Sequence, residues 1–313
     1  MTSEFELIDA FVGALPHEGA GMPLGPGDDA ALLRASRGHD LCATVDEVRE
    51  GVHFTRRFSL EDIGHKALAV NLSDLAAMGA RPRGFLCALE LPHGSDRRSI
   101  VRIAAGMMSL AGEHGCLLAG GNLCRGPGIA ITVTALGEVP RGRALRRDGL
   151  RPGDLLAVTG ALGGAALGLQ RLSRGGGRAG ALRQLRPAPR VRAGLSARGL
   201  ASAAIDVSDG LLQDLGHLCE RSGCGAEVDP SRLPLDPALR GRPDGLALAL
   251  GGGEDYELIL GVPPRRFPLL RRRIERAGVP LTVIGEATRR PGLRLLGAGG
   301  APALPAVRGF RHF

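Results

Sequence analysis

The chain has 313 residues, 44% of them hydrophobic, which is enough for about two domains that each bury a core. Its apolar runs stop well short of the roughly 20 residues of a bilayer span, and Glu4 and Glu6 stand where a secretory leader is basic, so a soluble cytoplasmic protein with no membrane partner is expected. The net charge of +8 points toward nucleic acid, yet all but one of the 40 basic residues are scattered arginines, and one Tyr with no Trp offers little for bases to stack on, so no nucleic-acid partner is expected.

Arginine, alanine, glycine and proline in place of lysine look like a GC-leaning codon bias, which makes the charge a property of the surface rather than of a binding site. The six cysteines form no C-x-x-C pair and lie mostly in apolar contexts, so buried, reduced thiols are expected.

Along the chain, Ser3 and Glu6 make a capping box for a first helix whose Phe5, Ile8, Phe11 and Val12 recur at helical spacing. A Gly/Pro-rich loop, 21–27, then delivers Asp28 and Asp29. The strand Leu41 to Val45 is expected to carry Asp46 at its C-terminal end, and Ser59 caps a helix running to Met78. On that helix Asn71 and Asp74 share a face with Ala67 and Met78, so a polar pair interrupts an apolar surface. A strand at Phe85 to Leu91, a helix from about Asp96 to Glu113 closed by Gly115, and a strand-like Cys116 to Ala119 lead into Gly120-Gly121-Asn122. Ile129 to Val139 reads as a long strand, and the Arg/Gly-rich segment 140–153 as the domain boundary.

The second half opens with a strand at Leu155 to Val158 and the turn Gly160-Ala161-Leu162-Gly163-Gly164 before a helix. That turn either cradles phosphate or permits close packing, and it lacks the G-x-x-x-x-G-K-[ST] pattern. Residues 173–180 form a low-complexity loop. A buried strand at Ala203 to Val207 precedes Asp209, which opens a helix striped with Leu211, Leu212, Leu215 and Leu218. Glycines 251–253 introduce Glu254-Asp255-Tyr256 and a last clear strand, Glu257 to Val262. Strands alternate with helices, so the fold class is α/β (α+β) in two lobes.

Any one of these aspartates has an ordinary explanation as a turn former or a helix-terminus charge. Asp74 in its apolar stretch is the exception. Taken together, acids repeatedly end apolar strands with no basic neighbour in sequence. Two carboxylates 4 Å apart repel by about 4 kcal/mol at an effective dielectric near 20, so their convergence calls for cations. Hard oxygen donors without a His or Cys set point to Mg²⁺, which keeps waters and bridges phosphate oxygens, and hence to phosphoryl transfer. Arg147 is either a bidentate phosphate ligand or a solvated linker residue. Ser208 is a phosphate donor or a helix cap, and His53 donates to an anionic substrate or is structural.

The residues Gly27-Asp28-Asp29-Ala30, Asp46 with 50–54, the block 66–80 (KALAVNLSDLAAMGA), Ala204 to Leu211, Gly252 to Leu258 and the tail 309–313 resemble the thiamine-monophosphate kinase family. That family lies in a superfamily with aminoimidazole ribonucleotide synthetase and selenophosphate synthetase, and the likeness covers nearly the whole chain. It implies the two-lobed aminoimidazole ribonucleotide synthetase-like fold, with an N-terminal ATP/Mg-binding and dimerisation domain (1–139) that pairs sheets in a homodimer. A C-terminal α/β domain (140–313) completes the substrate site. The implied reaction is ATP-dependent phosphorylation of thiamine monophosphate to the diphosphate by direct in-line transfer, with Mg²⁺ and a monovalent cation such as K⁺. Carried over by position, Asp29, Thr44, Asp46, Asp74, Asp206 and Asp209 are metal ligands. Gly121, Asn122, Arg147 and Ser208 contact ATP, and His53, Glu254 and Phe310 contact the thiamine phosphate.

Four departures accompany the likeness. Asn122 replaces a family aspartate, and Val45 replaces a hydroxyl residue; both are expected to thin one metal site. Gln184 stands where His is frequent, and Arg311 where the tail is usually acidic. The alternative to a working kinase is a non-catalytic or repurposed member that holds nucleotide or thiamine phosphate without turning it over.

Overall fold

The computed structural model describes residues 4–19, 21–26, 30–297 and 302–303; Ser3, Asp28, Asp29, Phe310 and Arg311, on which several expectations fall, lie outside them. Internal contacts divide the chain into two units, residues 1–75 with 80–141, and residues 76–79 with 142–313.

The first unit contains α1 (Glu4–Gly13), β1 (His39–Arg49), α2 (Leu60–Ala77), β2 (Arg81–Leu91), α3 (Arg97–His114), β3 (Leu117–Arg125) and β4 (Ala130–Pro140). Its sheet runs β1-β4-β2-β3; β2 and β3 are parallel, and the other two pairings are antiparallel. Ser59 and Asp62 cap α2 reciprocally, at 3.1 and 3.2 Å, while Asp96 caps α3 and left-handed Gly115 ends it. Gly64 and Gly106 let the two helices touch backbone to backbone: a Cβ on Gly106 would stand 1.9 Å from the Glu61 carbonyl oxygen. One face of the sheet, with Phe85, Cys87 and Leu89, is buried. The other is open, and Leu41, Val45 and Leu86 on it are 57%, 62% and 40% exposed.

Two boundaries differ from expectation. Asp46 lies inside β1, because β4 pairs with β1 all the way to Arg49. The strand expected to end at Ala119 runs on to Arg125 as β3, because β2 continues to pair with it beyond a register shift at Leu86.

The second unit contains β5 (Leu155–Thr159), α4 (Gly164–Ser173), α5 (Leu182–Leu185), α6 (Val191–Ala197), β6 (Ala203–Asp206), α7 (Leu211–Ser222), β7 (Gly225–Val228), α8 (Gly245–Gly251), β8 (Leu258–Val262), α9 (Phe267–Arg276), β9 (Leu281–Thr288), β10 (Gly292–Leu296) and β11 (Pro302–Ala303). Its mixed sheet has the order β11-β10-β7-β9-β5-β8-β6. The leucine stripe of α7 (Leu211, Leu215 and Leu218) packs with Leu156, Val158, Ile205 and Ile259 into one core. Two mixed sheets with covering helices form the two-lobed α/β class read from the sequence. Among the described residues, no helix is long and apolar enough to cross a membrane.

Candidate active site

In the first unit regular elements set the groups. Thr44 Oγ1, on the helix-facing side of β1, donates to Asp74 Oδ2 of α2 at 2.5 Å. Asp74 is half-buried, one turn beyond Asn71, whose buried amide donates to the Ala67 carbonyl at 3.0 Å and whose Oδ1 has no partner. Asp46 shares Thr44's face by strand alternation and is exposed; its Oδ1 accepts the Glu47 N–H at 2.7 Å. Cys42, next on that face, has its thiol pushed up by burial and by the Asp74 charge.

His53 occupies the turn after β1. Its Nδ1 accepts the Arg49 N–H at 3.1 Å, and its own N–H donates to the Arg49 carbonyl at 3.0 Å. An accepting Nδ1 carries no proton, so the neutral ring presents Nε2–H, the polarity needed to meet an anion.

Gly121 and Asn122 lie within β3. A Cβ on Gly121 would stand 1.9 Å from the Cys87 carbonyl oxygen, so only glycine lets the strands approach there. Both residues line a cavity of about 490 Å³ between the sheet and Leu7, Phe11 and Val12 of α1, a volume suited to a small ligand. Glu47, Thr132, Ala88 and Asn122 form one row across the open face. Thr44 and Asp46 sit on the opposite face at the other edge, three strand spacings or about 14 Å away. Val45 shares Asn122's face and turns away from Thr44 and Asp46. Within one chain, therefore, Asn122 and Val45 lie on the other face of the sheet from Thr44 and Asp46. Alternation and sheet order separate them.

In the second unit two backbone strips are joined. The Glu254 N–H donates to the Ser208 carbonyl at 2.7 Å, Tyr256 to Val207 at 2.9 Å, and Val207 to Glu257 at 2.8 Å. This brings Asp206 (2% exposed, the last residue of β6), Ser208, Asp209 and Glu254 into one neighbourhood. The junction is tight: a Cβ on Gly253 would lie 2.4 Å from the Ser208 oxygen. Glu254 and Tyr256 adopt φ of 67° and 50°, a left-handed conformation costly for such side chains.

Buried acids hold this junction. Asp214 Oδ2 accepts the N–H groups of Asp209 and Gly210 at 3.0 and 3.1 Å, and its carboxyl is pushed up to about 8 by burial and then by the charges of Asp206 and Asp209. Asp255 accepts the N–H groups of Gly163 and Ala165 at 2.5 and 3.1 Å, so the N-terminus of α4 already holds an internal anion. Of the two readings of the Gly160 to Gly164 turn, close packing is the one realised. A Cβ on Gly160 would meet Glu257 Oε1 at 1.9 Å. Glu257 is fully buried and takes Arg190 Nε and Nη2 at 2.6 and 2.5 Å and Thr159 Oγ1 at 2.7 Å. Gln184, 1% exposed, donates through Nε2 to Glu254 Oε2.

Arg147 is exposed, in a 3-10 turn at Arg147–Gly149, and its carbonyl accepts Ser222 Oγ at 2.6 Å. Ser222 ends α7, so the Arg147 backbone stands a helix length, about 18 Å, from the Ser208 turn. Among the described residues, no group of three or more His, Cys, Asp and Glu side chains is gathered to hold a metal. The oxygen donors come as pairs rather than as a cage.

The AIR synthase related protein N-terminal domain matches residues 27–139, and its C-terminal domain residues 151–297. The thiamine-monophosphate kinase of Salmonella typhimurium is 40% identical, covering 99% of this chain and 98% of that one. The chain belongs to the thiamine-monophosphate kinase family. The crystal structure of the Stenotrophomonas maltophilia K279a thiamine-monophosphate kinase is 42% identical over 96% of this chain and 98% of that one, with a TM-score of 0.87. The complex of AaThiL with AMPPCP and TMP is 32% identical over 99% and 97%, with a TM-score of 0.79.

Sequence reasoning passed over the residues that hold this kinase-family junction together. Asp255 and Glu257 stood inside a quoted motif in which only Glu254 received a role; three acids within four residues was the available signal. Asp214 was readable as an acid in the first turn of α7, and Arg190 carried no local signal.

Proposed function

We infer that this protein phosphorylates thiamine monophosphate to thiamine diphosphate with ATP as donor. The observation that carries this is end-to-end kinship with thiamine-monophosphate kinases, joined to oxygen-donor sites built from the motif residues of that family. In-line phosphoryl transfer asks a protein for positioning and charge stabilisation, and both units supply fixed polar groups. His53 Nε2–H suits the substrate phosphate. Glu254, held by Gln184, suits the amine of an aminopyrimidine, and Ser208 suits a phosphate oxygen of ATP, while Arg147 stands a helix length from Ser208 and does not share that oxygen. Phe310 completes the substrate set from outside the described residues.

Mg²⁺ fits the donors that are present. They are all oxygen, they come one or two at a time, and the Asp214 carboxyl, pushed up first by burial, is pushed further by the charges of Asp206 and Asp209, a crowding of negative charge that a cation relieves. Thr44, Asp46 and Asp74 in the first unit, Asp206 and Asp209 in the second, and Asp29 would hold it, with K⁺ as an accessory ion. When bound, Mg²⁺ neutralises charge on the phosphate oxygens.

A homodimer accounts for the separation of Asn122 from Asp46. A second copy laid on the open face covers Leu41, Val45 and Leu86 and lets the β3 edge of one copy approach the β1 edge of the other. The N-terminal unit then serves ATP, metal and dimerisation, and the C-terminal unit completes the substrate site.

Thiamine diphosphate formation from thiamine monophosphate, ATP and Mg²⁺ is the test. No turnover at high Mg²⁺ by folded protein rejects the reading. Asn122 favours a second one, because an amide adds no negative charge for a cation. If the site is only weakened, Asn122→Asp lowers the Mg²⁺ needed for turnover; tight ligand binding without product in both forms favours the non-catalytic member.

A further inference from the structure

We propose that Lys66, the single lysine of the chain, is a positioning residue for His53. The inference rests on the reading that His53 meets the substrate phosphate. Lys66 lies in the first half of α2 and is 1% exposed. Its Nζ donates to the His53 carbonyl at 3.0 Å and sits 5.4 Å from the centre of the Phe58 ring. Lys66 thereby adds a side-chain anchor on the carbonyl of a residue whose ring takes the Arg49 N–H and whose backbone N–H reaches the Arg49 carbonyl. The turn that bears it is closed by the Gly51 N–H to the Phe54 carbonyl at 2.8 Å, while its tip is outlying: Gly51 has φ 83° and Val52 is 55% exposed. Without the Lys66 anchor the His53 carbonyl loses its ammonium donor, and the direction of Nε2 is less fixed.

The residue type matters. Every other basic position in the chain is arginine. A guanidinium is a wide planar fork, whereas an ammonium is compact, with three donors on a flexible stem, and suits a single carbonyl in a closed space beside a ring. The same helix carries Asp74 eight residues on, about 12 Å along the axis. One rigid element thus sets both the histidine turn and the Thr44–Asp74 pair.

A chain with one lysine allows a clean test. Protein labelled with ¹³C-lysine gives one Cε signal, and in the full-length protein titrated with thiamine monophosphate alone this signal shifts on binding and stays still in His53→Ala. In steady-state kinetics Lys66→Met raises KM for thiamine monophosphate about tenfold while KM for ATP stays within about twofold, and Lys66→Gln, which keeps a donor, falls between. An unmoved Cε signal while calorimetry registers binding overturns the proposal, as does a folded Lys66→Met protein with unchanged KM. Should Lys66→Met fail to fold, the titration of the unaltered protein decides. Unaltered protein that neither binds nor phosphorylates thiamine monophosphate fails the kinase reading, and this proposal with it. A turning-over enzyme with a silent Lys66 fails this proposal alone.

Discussion

The two units position their polar groups by different means. In the first, side chains on regular strands and helices reach one another: Thr44 to Asp74, Lys66 to His53. In the second, the backbone itself is the positioning device, with Glu254 and Tyr256 in the left-handed conformation. Side-chain bonds can be lost one at a time with local effect. A strained backbone persists only while its surroundings over-determine it, so damage there spreads. Substitutions in the second unit should therefore act on stability and activity together, and those in the first mainly on activity.

The hardest test of that contrast is Arg190→Met. It removes the nearer guanidinium from the fully buried Glu257 carboxylate beside the Glu254 to Tyr256 strip, leaving it Arg183 Nη1 at 3.8 Å and Thr159, and breaking a buried pair from one side costs up to about 3–5 kcal/mol. Urea unfolding measures it. A loss under about 1 kcal/mol means the pair is not what holds the strip. Next comes Gly253→Ala, whose Cβ meets the Ser208 carbonyl and is expected to cost about 1–3 kcal/mol and to raise KM for thiamine monophosphate. Gly177→Ala is the control, because nothing lies within 4 Å of its Cβ, and its effect should stay within about 0.5 kcal/mol. Equal effects at the two glycines would remove the case for a tight junction.

The same contrast explains what the sequence disclosed. Elements with strong local signals were legible: Ser59 as the N-cap of α2, Asp96 and Gly115 around α3, and the leucine stripe of α7. Asp74 stood out because one acid in an apolar helix is a local anomaly. Where pairing partners decide, the reading fell short. Asp46 at a strand end was overridden by the neighbouring strand, β3 runs on past Ala119 because β2 pairs with it, and alternation and sheet order together part Asn122 from Asp46. Arg190 and Glu257 are 67 residues apart, and their pairing is a product of the tertiary fold.

A smaller effect separates the units by pH. Asp255 is pushed up to about 7, first by burial and further by the Glu257 charge. With its folded value raised, the native state binds the proton more tightly than the unfolded chain, so this group's contribution is fully present below about 4 and is lost as pH rises through about 7. Asp255→Asn stays neutral and keeps one acceptor for the α4 N-terminus. The stability of the variant relative to the parent should therefore rise between pH 4.5 and 7.5, and a flat difference over that window would show that Asp255 titrates normally.

The gentlest change falls in the first unit. Thr44→Val keeps the shape of the strand residue and removes only the hydroxyl that donates to Asp74, a bond worth about 1 kcal/mol. Because Asp74 is half-buried, water can replace the lost donor, and the melting temperature should hardly move. Asp74 keeps its charge but loses the Thr44 donor that helps to aim it, so the Mg²⁺ concentration needed for turnover should rise while folding is unaffected. If Thr44→Val instead unfolds the protein as Arg190→Met is expected to, side-chain placement in the first unit is as over-determined as the backbone of the second, and the contrast between them disappears.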